Sequence, residues 1–181
     1  METTIFRNEE KISTEEVLKR FVETLERSYN VEQSEIDMLT EIAAKNPVDK
    51  FIISEMPTEA ARQGDILIWS EKSPEYQANI GKVTNLQETN RLILQEGDSL
   101  TGDHELIPVS TAKYTMQTGK FVPEIIQEAV WGNNAWDCKI LEIDSPFILK
   151  HREHGNMTFL SAGKYMFCSQ MDADSLARMR D

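Results

Sequence analysis

The hydrophobic pattern of this chain changes near residue 60, and this change constrains the fold more than any other feature of the sequence. Before it, apolar residues recur at helical spacing; after it, short apolar runs alternate with Gly, Asn, Asp, Ser or Pro. Amphipathic helices produce the first pattern and antiparallel strands the second. The sequence therefore predicts a mainly β protein of the α+β class, with a small antiparallel barrel or sandwich that follows an N-terminal helical hairpin.

Two helices are predicted in the first third of the chain. Ser13 and Glu16 have the spacing of a capping box, and a stripe of apolar residues follows them. A second helix is predicted from Ser34 to the residues before Pro47, since proline cannot continue a helix. Two amphipathic helices cannot bury their own apolar stripes. We therefore expect them to pack on the rest of the chain, to bind a protein partner, or to mediate self-association.

The predicted organisation has three parts. Residues 1–60 form the helical N-terminal region, residues 61–171 form the β-barrel or sandwich domain, and residues 172–181 form a C-terminal tail. The boundary is placed in "SEMPTEAARQGD", which has the polar, Pro- and Gly-containing character of a connection.

The charge of the chain limits the partners that it is expected to bind. It has 31 acidic and 19 basic residues, a formal net charge of −12. Such a balance disfavours nonspecific binding to the phosphate backbone of nucleic acid. No apolar run approaches the length of a membrane span, and no signal-peptide pattern is visible. The expected location is cytoplasmic, or virion-associated if the chain is phage-encoded.

All three histidines lie beside predicted turns: His104 follows "TGD", and His151 and His154 belong to "HREHG". Imidazole and carboxylate groups are the usual ligands of zinc, manganese and iron. Two sequence-distant hairpin tips can meet at one end of a barrel. The candidate ligands are these three histidines, with Asp103 or Glu153 as a fourth, and the candidate cofactor is a divalent metal.

An ordinary structural role explains the same residues. Asp103 after Gly102, and Gly155 before Asn156, are good turn sequences, and the spacing H-x-x-H is not specific. Cys138 and Cys168 form no CxxC motif and are expected to be buried, reduced core residues.

Two tryptophans form a second candidate site. Trp131 and Trp136 flank a Gly-Asn-Asn turn in "WGNNAW", which predicts an exposed binding loop. The alternative is that they fill the β core.

Three stretches of the β region resemble a group of small, uncharacterised bacterial and phage proteins. The stretches are "QGDILI" (63–68), "LQEGDSLTGDHELI" (94–107) and "SPFILKHREHGNMTFLSAGKYMF" (145–167). The matching positions are Gly64, Asp65, Gly97, Asp98, Thr101, Gly102, His104, His151, Glu153, His154, Gly155, Leu160, Ala162, Gly163 and Tyr165. Relatives tend to carry histidine at the position of Asp103. The resemblance implies a shared compact β fold and no particular activity.

Two functions are compatible with these features. The first is a non-enzymatic binding or assembly module, with phage association as one option, because no strong catalytic motif is present and the helices carry apolar stripes. The alternative is a metal-binding protein or a metal-dependent enzyme that uses the histidine and carboxylate cluster. Whether the chain is an enzyme is left open by its sequence.

Overall fold

The computed structural model describes residues 13–47, 51–55, 60–97, 102–121 and 136–169. Two N-terminal helices precede two β-sheets, so the predicted α+β class is confirmed. Within these ranges the sheets do not close into a barrel, and the sandwich alternative fits the structure. Trp131 and the predicted tail 172–181 lie outside the described residues.

The helices are α1 (Thr14–Ser28), α2 (Gln33–Lys45) and the short α3 (Pro74–Asn79), which a 3₁₀ turn (Ile80–Lys82) follows. The strands are β1 (Phe51–Ser54), β2 (Ala60–Gln63), β3 (Ile66–Ser70), β4 (Val83–Glu88), β5 (Ile93–Gln95), β6 (His104–Pro108), β7 (Tyr114–Phe121), β8 (Trp136–Ile143), β9 (Phe147–Lys150), β10 (Asn156–Phe159) and β11 (Gly163–Ser169).

The strands form two sheets with different orders. Sheet 1 has the order β1-β10-β9-β6-β5, and sheet 2 has the order β2-β3-β11-β8-β7-β4. The paired strands run antiparallel except β1 and β10, which are parallel. Side chains from both sheets share one apolar core, which includes Ile66 and Ile68 of sheet 2 and Phe147 and Leu149 of sheet 1.

The helix starts follow from local capping. The Ser13 hydroxyl accepts a hydrogen bond from the Glu16 amide (3.3 Å), as the sequence predicts. The second helix begins at Gln33 rather than at Ser34, because Glu32 and Glu35 form a reciprocal capping box. A glutamate is an unusual residue at this position, so the more common serine cap misplaces the start by one residue.

The apolar stripes of α1 and α2 contact the rest of the chain. Phe21, Leu25 and Leu39 are buried in one cluster with Val109 and Ile148. The Phe21 ring also stacks on Phe51 of β1, with ring centroids 4.6 Å apart. The stripes thus have an intramolecular partner, and association through other faces of these helices stays a prediction.

Several elements lie where the sequence pattern predicts none. Strand β2 lies in the predicted connection and pairs with β3. Strand β1 falls within the predicted helical region, before residue 60, and pairs with β10 of sheet 1. Helix α3 interrupts the β region, where Ser73 caps it and Pro74 begins it. No helix in the described ranges combines the length and the apolar composition needed to cross a bilayer.

Candidate functional site

The three histidines converge at one place in the structure. The ring centroids of His104 and His151 are 4.0 Å apart, those of His151 and His154 are 4.5 Å apart, and those of His104 and His154 are 5.9 Å apart. One nitrogen from each ring can be chosen so that all three lie within 4.8 Å of one another. The start of β6 and the 152–154 turn, which are far apart in sequence, thus meet.

The sheet register causes this convergence. His104 begins β6 and His151 follows the end of β9, and these strands pair antiparallel with Glu105 opposite Lys150. The next positions outward, 104 and 151, therefore come together at the same end of sheet 1. A turn over residues 152–154 then brings His154 back toward them, and Gly155 leaves this turn with φ of 82°. Glycine adopts this conformation without steric cost.

Gln63 fixes the hydrogen position on His104. The buried Gln63 side chain donates from Nε2 to the carbonyl oxygens of Leu149 (3.1 Å) and Gly155 (2.8 Å). These two bonds orient the amide, so Oε1 faces His104 Nδ1 at 3.0 Å and must accept a hydrogen bond. Nδ1 of His104 therefore carries a hydrogen.

Asp65 is a buried acid beside the same ring. Its side chain is 1% exposed, and Oδ1 lies 3.4 Å from His104 Nε2. Oδ2 accepts a hydrogen bond from the Gln95 amide. Burial alone would raise the pKa of Asp65, but the contact and electrostatic attraction of His104, together with the hydrogen bond from Gln95, lower it below the usual value. The carboxylate is therefore ionised at neutral pH.

The two acids that the sequence predicts as a fourth ligand lie outside the histidine group. Asp103 Oδ1 accepts a hydrogen bond from the Gly97 amide (2.9 Å), which is a turn contact. Glu153 is exposed at the surface of the 152–154 turn. In the described part of the chain, the group that could hold a metal contains only His104, His151 and His154.

The rings are stacked rather than aimed at a common point. The planes of His104 and His151 are inclined by only 21°, and those of His151 and His154 by 18°. Lone pairs lie in the ring plane, and two rings inclined by only 21° with centroids 4.0 Å apart do not direct their lone pairs at one point within the roughly 2 Å of a Zn–N bond. A shared ion therefore requires the His151 and His154 rings to turn out of this stack, while Gln63 holds His104 in place through Nδ1.

His151 caps its own turn. Nδ1 accepts hydrogen bonds from the backbone amides of Glu153 (3.3 Å) and His154 (3.1 Å). An accepting Nδ1 has no hydrogen, so Nε2 carries it in the neutral ring. If a metal binds Nε2, the hydrogen of the neutral ring moves to Nδ1. His151 would then lose the two hydrogen bonds from the backbone amides.

The tryptophan site is only partly described. Trp136 begins β8, is half-buried, and packs edge-to-face on Phe121 with ring centroids 6.1 Å apart. Its partner in the predicted loop, Trp131, lies outside the described residues. The described ring therefore belongs to the core cluster of sheet 2.

The cysteines occupy the same core. Cys138 and Cys168 are directly opposite each other on β8 and β11, and both are fully buried. The hydrogen bond with Cys138, together with burial, raises the pKa of the Cys168 thiol. A protonated thiol is a poor nucleophile and a poor metal ligand.

Comparison of the chain with protein-family models, with curated proteins and with solved structures gave no match. The site therefore has to be interpreted from its own geometry.

Three polar residues at this site are absent from the sequence-based ligand set: Gln63, Asp65 and Gln95. All three are buried, and each lies at the end of a strand or in the turn next to one. In the sequence, these three residues are recognisable only as polar positions next to the apolar runs "ILIW" and "LIL". Such residues look like ordinary strand ends, so only the tertiary structure shows that they face His104.

Proposed function

We propose that this protein is a non-enzymatic binding module whose ligand is a divalent transition-metal ion, held by His104, His151 and His154. The observation that supports this is the approach of three imidazoles from two distant turns to within 4.8 Å. Imidazole nitrogen suits zinc, copper, nickel and iron, and is less suited to magnesium or calcium. Zinc is the ion of choice for a first test, because it has no redox chemistry and no strong geometric preference.

The environment of the rings supports retention of an ion over turnover of a substrate. His104 and His151 are 2% and 1% exposed. Gln63 also holds His104 through Nδ1, so that Nε2 faces Asp65. A catalytic metal keeps an open coordination position that a substrate can reach. Such burial favours a closed site with access only from the half-buried His154.

Metal binding is tested on the full chain by elemental analysis and by titration with Zn²⁺. We expect about one ion per chain in the wild type and loss of this ion in the His151→Ala/His154→Ala variant, because only one of three imidazole ligands then remains. The matched control is Arg152→Ala/Glu153→Ala, which alters the two exposed residues of the same turn and should retain the ion. A wild-type protein that takes up no zinc in either measurement overturns the proposal.

The distinction from a metal-dependent enzyme is tested with Co²⁺ in place of zinc. Azide or cyanide changes the visible spectrum of Co²⁺ when the ion has an exchangeable position. We expect no change if a fourth protein ligand closes the site. A spectrum that responds to these anions would instead support the metal-dependent enzyme.

A further inference from the structure

The acid that could complete the site comes from the opposite sheet. Asp65 lies in the turn between β2 and β3 of sheet 2, while His104 begins β6 of sheet 1. Asp65 Oδ2 accepts a hydrogen bond from Gln95, whereas Oδ1 is buried and accepts no hydrogen bond of normal geometry from the described residues. A buried carboxylate oxygen without a hydrogen-bond donor needs a proton or a cation close to it.

The nitrogen that faces Asp65 is the one suited to a metal. Gln63 holds the hydrogen of His104 on Nδ1, so in the neutral ring the lone pair is on Nε2, 3.4 Å from Asp65 Oδ1. Metal-bound histidines usually donate their other ring N–H to an acceptor in this way.

The separation of the two atoms also favours an ion. A charge-assisted N–H···O bond is about 2.7–2.9 Å long. Two ligand atoms about 2.0–2.1 Å from a tetrahedral ion stand about 3.4 Å apart. The observed 3.4 Å is thus long for a hydrogen bond to a carboxylate and suits two ligands of one ion.

We propose that Asp65 is a direct ligand of the metal ion, beside His104, and that the ion links the two sheets of the sandwich. This rests on the proposed metal-binding function. Three neutral imidazoles would leave the +2 charge of the ion uncompensated in the protein interior. One carboxylate ligand lowers the net charge of the site to +1. The ion expected for two or three imidazoles and one carboxylate is Zn²⁺ or Co²⁺.

The test compares Asp65→Asn with the wild type by Co²⁺ absorption and Zn²⁺ titration of the full chain. Loss of a hydrogen-bonding partner behind a ligand weakens metal binding roughly 10- to 100-fold, and we expect loss of a direct ligand to exceed this range. The Co²⁺ spectrum should also change its band positions. The matched control is Asp103→Asn, adjacent to His104 in sequence, which should retain both affinity and spectrum because its carboxylate contacts the Gly97 amide.

The outcomes separate the two proposals. A wild type that binds neither Co²⁺ nor Zn²⁺ overturns the proposed function. A wild type that binds, with an Asp65→Asn variant of equal affinity and spectrum, overturns the role of Asp65 alone. If Asp65→Asn does not fold, wild-type protein with ¹³C-labelled aspartate carboxyls is titrated with Zn²⁺. The proposal then requires a shift of one carboxyl resonance, and an unchanged set contradicts it.

Discussion

Gln63 is the residue on which the geometry of the site most depends. It is buried, and its amide joins β9, the turn after His154, and the His104 ring through three hydrogen bonds. The two carbonyl groups and the ring belong to buried residues, so water does not replace the Gln63 amide as their partner. The side chain therefore sets both the tautomer of His104 and the distance between the sheets at this end.

Replacing Gln63 with leucine should lower the free energy of unfolding by at least about 2 kcal/mol. Each buried donor or acceptor left without a partner costs about 1–3 kcal/mol. The measurement is chemical denaturation of the two proteins without metal. Gln87→Leu is the control, since Gln87 is exposed on β4 and should change the value by less than about 0.5 kcal/mol. Equal stability of Gln63→Leu and the wild type would show that this amide is not structurally important.

At the residue scale, the sequence predicts the three histidines of the site but not the buried polar residues around them. Three histidines beside turns are rare enough to stand out, and they do converge. Asp103 and Glu153 are their sequence neighbours, but both lie outside the strands: Asp103 accepts a hydrogen bond from the Gly97 amide, and Glu153 is exposed on its turn. The acid that contacts His104 is Asp65, and its proximity depends on how two sheets pack. No local pattern encodes that packing.

The 152–154 turn is the element whose shape depends on the state of the site. His151 Nδ1 accepts hydrogen bonds from the amides of Glu153 and His154. If His151 binds an ion through Nε2, Nδ1 gains a hydrogen and can no longer accept them. Ion binding is therefore coupled to the conformation of this turn.

We expect Zn²⁺ to shift the amide resonances of Glu153 and His154 and to speed their exchange with deuterium. NMR of the ¹⁵N-labelled protein measures both effects. The Gly97 amide, which donates to Asp103, serves as an internal reference and should stay unchanged. Stoichiometric zinc binding with both turn amides unaffected would mean that His151 is not a ligand through Nε2.

Sequence patterns predict the long elements here better than the short ones. Helix α1 has a cap and a continuous apolar stripe, so its start is correctly placed. Strand β1 has only four residues, all half-buried, and its partner β10 is far away along the chain. A four-residue apolar run has no periodicity that separates a strand from part of a connection. Its assignment comes from pairing with β10.

In the whole molecule, one apolar cluster joins α1 and α2 to sheet 1, and a second cluster joins sheet 1 to sheet 2. Leu25 and Leu39 of the helices are fully buried together with Ile148 of β9. Ile148 belongs to the strand between β6 and β10, next to the histidine turn. The helical hairpin and sheet 1 should therefore unfold in a single cooperative transition.

Leu25→Ala should destabilise the helices and the sheets equally. Removing a buried leucine side chain costs about 2–5 kcal/mol. Far-UV circular dichroism follows the helices. Fluorescence in a Trp131→Phe background, where Trp69 and Trp136 of sheet 2 remain, follows that sheet. The two curves should move together to lower denaturant. Glu26→Ala, at the exposed neighbouring position of α1, should leave both curves near those of the wild type. If circular dichroism alone moves, the hairpin folds as an independent unit.

The parallel pairing of β1 with β10 also bears on how the chain folds during synthesis. Phe51 pairs with Asn156, about a hundred residues later, so the ribosome releases β1 long before its neighbour exists. The apolar faces of α1 and α2 likewise stay uncovered until Val109 and Ile148 have been synthesised. A nascent chain stalled before β10 would therefore present apolar surface with nothing to cover it, and this interval is when chaperones would be needed most.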